Sequence, residues 1–229
     1  MPDLLPLFLN LTGRAVLLVG GGRVASAKLQ QLLAAGARVR VVAPEICEDI
    51  LAVVARDESP VVEAARRGFT PADLDGAWLV VAAATPAVNR QVAEVAETQR
   101  VFVNAVDDPE NASAFLSGVV RRDGVTLAIS TSGDAPALTS LLREGLDALL
   151  PRDLASWVWQ ARAERVAWRR DGVPMEQRKP RLLRALNAIY ATAEHAEHSE
   201  QEAFAASAPS ATDRGPHVPW LNAPEDSWL

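Results

Sequence analysis

Apolar residues in the first half of this chain fall into short runs separated by longer stretches of helical period. A run from residue 14 to 19 ends in Gly20-Gly21-Gly22, and an Ala-rich amphipathic stretch follows as far as Gly36. Residues 37–43 form a second run, 61–64 a third, 78–84 a fourth and 101–106 a fifth, with helical spacing over 45–56 and from Pro86 to about Gln99. Runs of this length bounded by turn residues predict strands, and the segments between them predict helices. The fourth run, Trp78-Leu79-Val80-Val81-Ala82-Ala83-Ala84, is apolar throughout, as a parallel strand covered on both faces should be. Residues 4–11 make a short apolar lead-in, read as an edge segment.

After Asp107-Asp108-Pro109 the pattern changes. Two strands are expected over 114–121 and 125–130, joined at Arg122-Asp123-Gly124, where Asp-Gly suits a hairpin. The polar turn Ser130-Thr131-Ser132-Gly133-Asp134 then opens a helix over 135–149, with Asp134 a candidate cap and Pro136 in its first turn. Pro151 ends that helix. From 152 to about 206 the chain reads as helical, broken at Asp171-Gly172-Val173-Pro174, and 207–229 reads as a flexible tail with Trp220 and Trp228 as apolar anchors. Alternating strands and helices imply an α/β, Rossmann-like, doubly wound parallel sheet. The expected organisation is a dinucleotide-binding domain over 1–112, a small strand-helix dimerisation region over 113–150, a helical domain over 151–206 and the tail.

Composition narrows the functional classes. The formal net charge of −6 argues against a general nucleic-acid role. No apolar run approaches the ~20 residues of a membrane helix. The N-terminus lacks the basic region and long apolar core of a signal peptide. Cys47 is the one cysteine, so no intrachain disulfide or cysteine metal cluster is expected, and a lone thiol fits a reducing cytoplasm.

The candidate chemistry gathers where the strands end. Gly20, Gly22 and Ala25 spell G-x-G-x-x-A between a strand and a helix. Gly20 permits the turn, Gly22 admits a pyrophosphate to the backbone, and Ala25 lets the helix lie close to the sheet. The alternative is a glycine turn that merely packs tightly. Glu45 is the nearest acid to the end of the second strand. It either holds the adenosine ribose or favours the first turn of the next helix. No basic residue follows that strand directly, which leans towards NAD over NADP. Thr85 and the stretch from Asn104 to Asp107 should share the same sheet edge.

A base for hydride-transfer chemistry is then sought. Tyr190, the single tyrosine, has Glu194 four residues on rather than the lysine of short-chain dehydrogenases. His195, His198 and His217 all fall late; the first two could share a metal, but a solvated acidic helix is the ordinary reading, and no metal site is expected. Asp107 remains as the proton acceptor, with Asp108 either sharing that role or starting the turn at Pro109. Residues 152–184 hold nine Arg or Lys against four Asp or Glu, with Trp157, Trp159 and Trp168 interleaved: a cationic wall for an anionic ligand, or a solvated helix with a tryptophan core face.

The glycine turn with Arg23, Val24 and Lys28, then Thr85 and Asn89, then Asn104-Ala105-Val106-Asp107-Asp108-Pro109, Ser113, Phe115, Ala128-Ile129-Ser130-Thr131, Pro136 and Leu141-Leu142-Arg143-Glu144, together resemble the precorrin-2 dehydrogenase family. That module also forms the N-terminal part of multifunctional siroheme synthase. The resemblance covers about residues 3–165. It implies oxidation of precorrin-2 to sirohydrochlorin with NAD as hydride acceptor, Asp107 as the essential residue, and NAD contacts at Arg23, Val24, Pro44 and Glu45. It also implies a homodimer, and a tetrapyrrole cleft near Thr131. Precorrin-2 is rich in carboxylates, so Arg121, Arg122 and Arg143, with Asn104 and Ser130, join the candidate substrate contacts. Some members also insert iron into sirohydrochlorin. The other alternative is a non-catalytic NAD-binding sensor. The methyltransferase part falls outside the resemblance, so synthesis of precorrin-2 is not expected.

Overall fold

A computed structural model describes residues 4–56 and 61–204, with side chains described as far as Tyr190. Five parallel strands form one sheet in the order β3-β2-β1-β4-β5. The strands are β1 (Ala15–Val19), β2 (Arg38–Ala43), β3 (Val62–Arg66), β4 (Leu79–Ala82) and β5 (Phe102–Ala105). Helices α1 (Arg23–Ala34), α2 (Glu48–Arg56) and α3 (Pro86–Gln99) connect them, and a 3-10 turn at Pro71–Leu74 precedes β4. The order reverses between β1 and β4, which opens a crevice outside the C-terminal strand ends, where ligands bind in such folds.

Each face of the sheet has its own core because successive strand residues point to opposite sides. Val16, Leu18, Val39, Val41 and Val81 pack with Ala25, Leu29 and Leu32 of α1 and Ile50 of α2. Leu17, Val19, Val42, Val80 and Ala82 pack with Val92 and Ala96 of α3. The four residues of β4 are all buried, whereas Trp78 just before it is half exposed and carries the Arg14 guanidinium 4.0 Å over its ring.

Three departures from the sequence reading have local causes. First, α2 begins at Glu48 rather than Glu45, because the Cys47 N–H donates to the Gly21 carbonyl and ties residues 44–47 to the glycine turn. Second, residues 112–117 do not extend the hairpin strand; the amides of Ser113 and Ala114 both donate to the Val103 carbonyl, fastening this segment to β5. Third, residues 4–10 form no strand, and Leu4, Leu5, Leu7, Phe8 and Leu9 are exposed, with Leu11 the first buried one among the described residues.

The hairpin β6 (Gly118–Arg122) and β7 (Val125–Ile129) is antiparallel, and α4 (Pro136–Leu149), α5 (Leu154–Arg170) and α6 (Met175–Phe204) follow. The chain divides into two compact units: residues up to 117 with 130–139, and 118–129 with residues from 140 on. The second unit has its own core of Leu154, Trp157 and Leu186, packed by Val125, Leu182 and Tyr190. There the Trp157 indole N–H donates to the Tyr190 hydroxyl at 2.6 Å, and that hydroxyl donates to Asp153 at 3.0 Å. Trp168 is buried as well, while Trp159 is 70% exposed. No helix among the described residues is long and apolar enough to cross a membrane. The tail with His217, Trp220 and Trp228, and the side chains of His195 and His198, lie outside the described residues.

Candidate dinucleotide site

The glycine turn does more than its motif required. Gly20 has φ +127°, and a Cβ there would collide with the Ala83 carbonyl at the end of β4. Gly21, to which the motif assigns no job, is equally constrained: a Cβ would strike the Glu45 carbonyl oxygen. Gly22 is different. It is exposed, has φ −86°, and a Cβ would meet nothing within 4 Å. The first intrahelical bond of α1 runs from the Ser26 N–H to the Gly22 carbonyl, so the amides before Ser26 point out of the helix end. No side chain caps this end and its first turn carries no acid. Two backbone approaches that only glycine permits, below an uncapped helix end, fit a pyrophosphate.

The surrounding candidates fall along the same sheet edge. Pro44 and Glu45 follow β2 and are exposed; Arg23 and Val24 are exposed on the first turn of α1. Thr85 precedes α3 and is exposed, and the turn below it is fixed by buried Asn89, whose side-chain oxygen accepts the Ala84 N–H at 3.1 Å.

Asp107 stands two residues past β5, exposed and with φ 56°. A left-handed backbone is uncommon for a residue with a side chain, and aspartate is among those that tolerate it. The structure separates it from its neighbour. Both carboxylate oxygens of Asp108 accept from Asn111 Nδ2 at 2.9 Å, closing the 3-10 turn Pro109–Asn111. Asp108 thus starts the turn, and Asp107 is the carboxylate left facing outward. Lys28 is half-buried on α1; burial lowers its pKa, and the charge of Asp107 works in the opposite direction with the smaller effect.

Residues 130–134 return to this place. Gly133 has φ +88°, and its ideal Cβ would lie 3.2 Å from Cβ of Pro109 and 3.9 Å from the Phe115 ring. Ser130 and Thr131 are therefore carried on a turn that packs against the turn following Asp107. The hydroxyls of Thr131 and Thr139 are 3.0 Å apart, and Thr131 Oγ1 accepts at 3.2 Å the N–H of Ala135, the residue before α4.

The matches to known proteins agree with this geometry. Residues 7–118 match the family described as "Putative NAD(P)-binding". Siroheme synthase of Photorhabdus laumondii is 43% identical over 155 residues, 67% of this chain and 32% of that protein. Siroheme synthase 2 of Aeromonas salmonicida is 48% identical over 153 residues, 66% of this chain and 31% of that protein. About two thirds of this chain is thus similar to part of siroheme synthase. It spans about a third of the length of the siroheme synthases it matches. The solved structure of SirC, precorrin-2 dehydrogenase, superposes with a TM-score of 0.59 at 24% identity, covering 78% of this chain and 87% of that one, and so shares the fold.

The remaining candidates have other surroundings. Asn104 is 7% exposed and its side-chain amide donates to the Ala114 carbonyl at 2.9 Å, so it holds the segment after β5. In the second unit Arg121 is exposed on β6, and Arg143 on α4 pairs with Glu144 at 3.2 Å. Arg122 is committed to structure: it bonds the Asp147 carboxylate at 2.6 Å and the carbonyls of Asp147 and Leu150. The sequence reading gave Gly21 no task, although a third consecutive glycine was a signal for one.

Proposed function

We propose that this chain is an NAD-dependent precorrin-2 dehydrogenase, converting precorrin-2 to sirohydrochlorin in siroheme biosynthesis. The observation that carries the reading is the pairing of a glycine-cradled helix end with an outward carboxylate, Asp107, on the same edge of the sheet. Homology to siroheme synthase supports the pathway, and a fold shared with a precorrin-2 dehydrogenase is consistent with the reaction. NAD, when bound, accepts a hydride; the oxidation also releases a proton from the substrate.

In this reading the free amides at the start of α1 bind the pyrophosphate, with Gly20 and Gly22 forming its floor. Arg23, Val24, Pro44 and Glu45 border the adenosine half, and Glu45 accepts from the ribose. Thr85 borders the nicotinamide half. Asp107 takes the substrate proton as general base. Ser130 and Thr131 offer hydroxyls to the tetrapyrrole, Arg121 and Arg143 offer guanidinium groups to its carboxylates, and Asn104 shapes the chain beside them. We further propose that the enzyme works as a cytoplasmic homodimer. Support comes from α4, where Leu138, Leu141, Leu142, Leu146 and Leu149 form one stripe and are 37–66% exposed.

The test is anaerobic incubation of the purified protein with precorrin-2 and NAD, followed in the visible spectrum. Sirohydrochlorin should form only when NAD is present. Asp107→Asn should lower turnover at least about a hundredfold, within the range general base catalysis supplies, and leave NAD affinity unchanged. An NAD-binding protein that oxidises nothing above background would be a sensor, and the enzymatic reading would fall. Addition of Fe2+ or Co2+ to the product, compared with an enzyme-free control, tests for chelation by the same site.

A further inference from the structure

Arg66 ends β3 and Arg67 follows it, and the fold treats the two differently. The Arg67 guanidinium binds the Asp73 carboxylate at 2.7 and 2.5 Å and the Gly68 carbonyl at 3.0 Å. Arg66 is exposed, and no hydrogen bond or ion pair among the described residues engages its guanidinium.

The strand register gives Arg66 its place. β2 and β3 are parallel, and the Cα partner of Arg66 is Ala43. Neighbouring strands lie about 4.8 Å apart, so Arg66 stands beside the last residue of β2, two positions before Glu45. Glu45 is tied to the glycine turn. A Cβ on Gly21 would strike its carbonyl, the Cys47 N–H donates to the Gly21 carbonyl at 2.8 Å, and the Gly20 N–H donates to the Val42 carbonyl at 3.0 Å. Strand alternation puts Arg66 on the same face of the sheet as Val62. Val62 belongs to the core cluster that also receives Ile46 and Cys47, the two residues after Glu45. Arg66 therefore borders the end of β2 from the neighbouring strand, on the face along which the chain continues from Glu45 to α2. The other charges there are Glu48 and Asp49, both exposed in the first turn of α2. The Arg40–Glu63 pair, at 3.2 Å, lies on the opposite face by the same alternation.

The end of the second strand is where a dinucleotide fold distinguishes NAD from NADP. An acid accepts from the ribose 2′-hydroxyl of NAD, whereas a nearby arginine accommodates the 2′-phosphate of NADP. This chain supplies both groups, from different strands. No basic residue follows β2 directly in sequence, but the β2–β3 register brings one alongside.

We propose that Arg66 is a specificity-determining residue of the dinucleotide site, a guanidinium that receives a 2′-phosphate, so that the site takes NADP as well as NAD. The proposal rests on the reading of the glycine turn as a dinucleotide site with Glu45 at the ribose. Guanidinium and phosphate match through parallel N–H···O bonds, and Arg66 can form them without giving up an ion pair. NAD lacks that phosphate and gains nothing from Arg66, so the two dinucleotides should respond differently to its removal.

Isothermal titration calorimetry with NAD and with NADP tests this without turnover. Wild type should bind both. Arg66→Gln should weaken NADP about tenfold or more and leave NAD within about twofold, the difference being that of a hydrogen bond between charged groups. Arg66→Lys, which keeps the charge but not the fork, should fall between Arg66→Gln and wild type for NADP. Raising the ionic strength should weaken NADP more than NAD in wild type, and that excess should disappear in Arg66→Gln. A wild-type protein that binds NAD but not NADP, or an Arg66→Gln variant that loses both dinucleotides alike, would overturn the proposal and leave the NAD reading standing. A protein that binds neither dinucleotide would overturn the reading of the site, and the role of Arg66 with it.

Discussion

Gly21 and Gly22 are neighbours in sequence and opposites in space. A methyl group on Gly21 runs into the Glu45 carbonyl, and one on Gly22 enters open space at a φ any residue adopts. Gly21→Ala should therefore cost roughly 3 kcal/mol or more, since overpacking against backbone cannot relax as a side chain can. Gly22→Ala should leave the melting temperature within a few degrees and weaken NAD binding, because its methyl group stands where the pyrophosphate approaches. Thermal unfolding and an NAD titration of both variants check this; equal loss of stability in the two would refute the assignment. The motif identified the turn, but it could not rank the glycines. Their ranking depends on which backbone passes below each one, and that backbone belongs to residues distant in sequence.

At the scale of an element, the 3-10 turn Pro71–Leu74 shows how a polar cluster fixes the approach to β4. Asp73 is 5% exposed, accepts Arg67 at 2.7 and 2.5 Å, and also bonds the Thr70 amide and hydroxyl. The Arg67 guanidinium is the main reason its carboxyl is lowered from 3.8 to about 2, with Thr70 adding to the effect. A depressed carboxylate pKa stabilises the fold above the unfolded value, and that stability is lost as pH falls through the folded one. Asp73 should contribute at most about 2 kcal/mol at neutral pH, fading between about pH 4 and pH 2. Denaturant unfolding of wild type and Asp73→Asn across that range should show the difference closing as acid is added; a pH-independent difference would be inconsistent with it. The sequence marks a turn at Asp73-Leu74-Asp75-Gly76 but not the partner Arg67, which only the folded β3–β4 connection brings near.

For the whole molecule, α4 is the element whose sequence pattern and environment disagree. It has a clear apolar stripe, yet none of its residues is buried. An amphipathic helix with an exposed leucine face is an interaction surface by default, and the occupant we propose is a second copy of the chain. Leu141→Glu, at a position 65% exposed, should leave the fold intact and convert the dimer to a monomer in sedimentation analysis. A wild-type protein that sediments as a monomer would remove the dimer from the functional account.

The sequence by itself determined the alternation of strands and helices, the glycine turn between β1 and α1, the buried run of β4 and the change of character after Asp107. These features depend on periodicity and on the special conformations of glycine and proline, which are local. The tertiary structure decided what needed distant segments to meet. It assigned Asp108 to a turn and left Asp107 facing outward. It committed Arg122 to the Asp147 end of α4 and brought residues 130–134 back to Pro109. Charge and hydrogen bonding act across space, so residues of the same type receive different roles according to the partners the fold supplies.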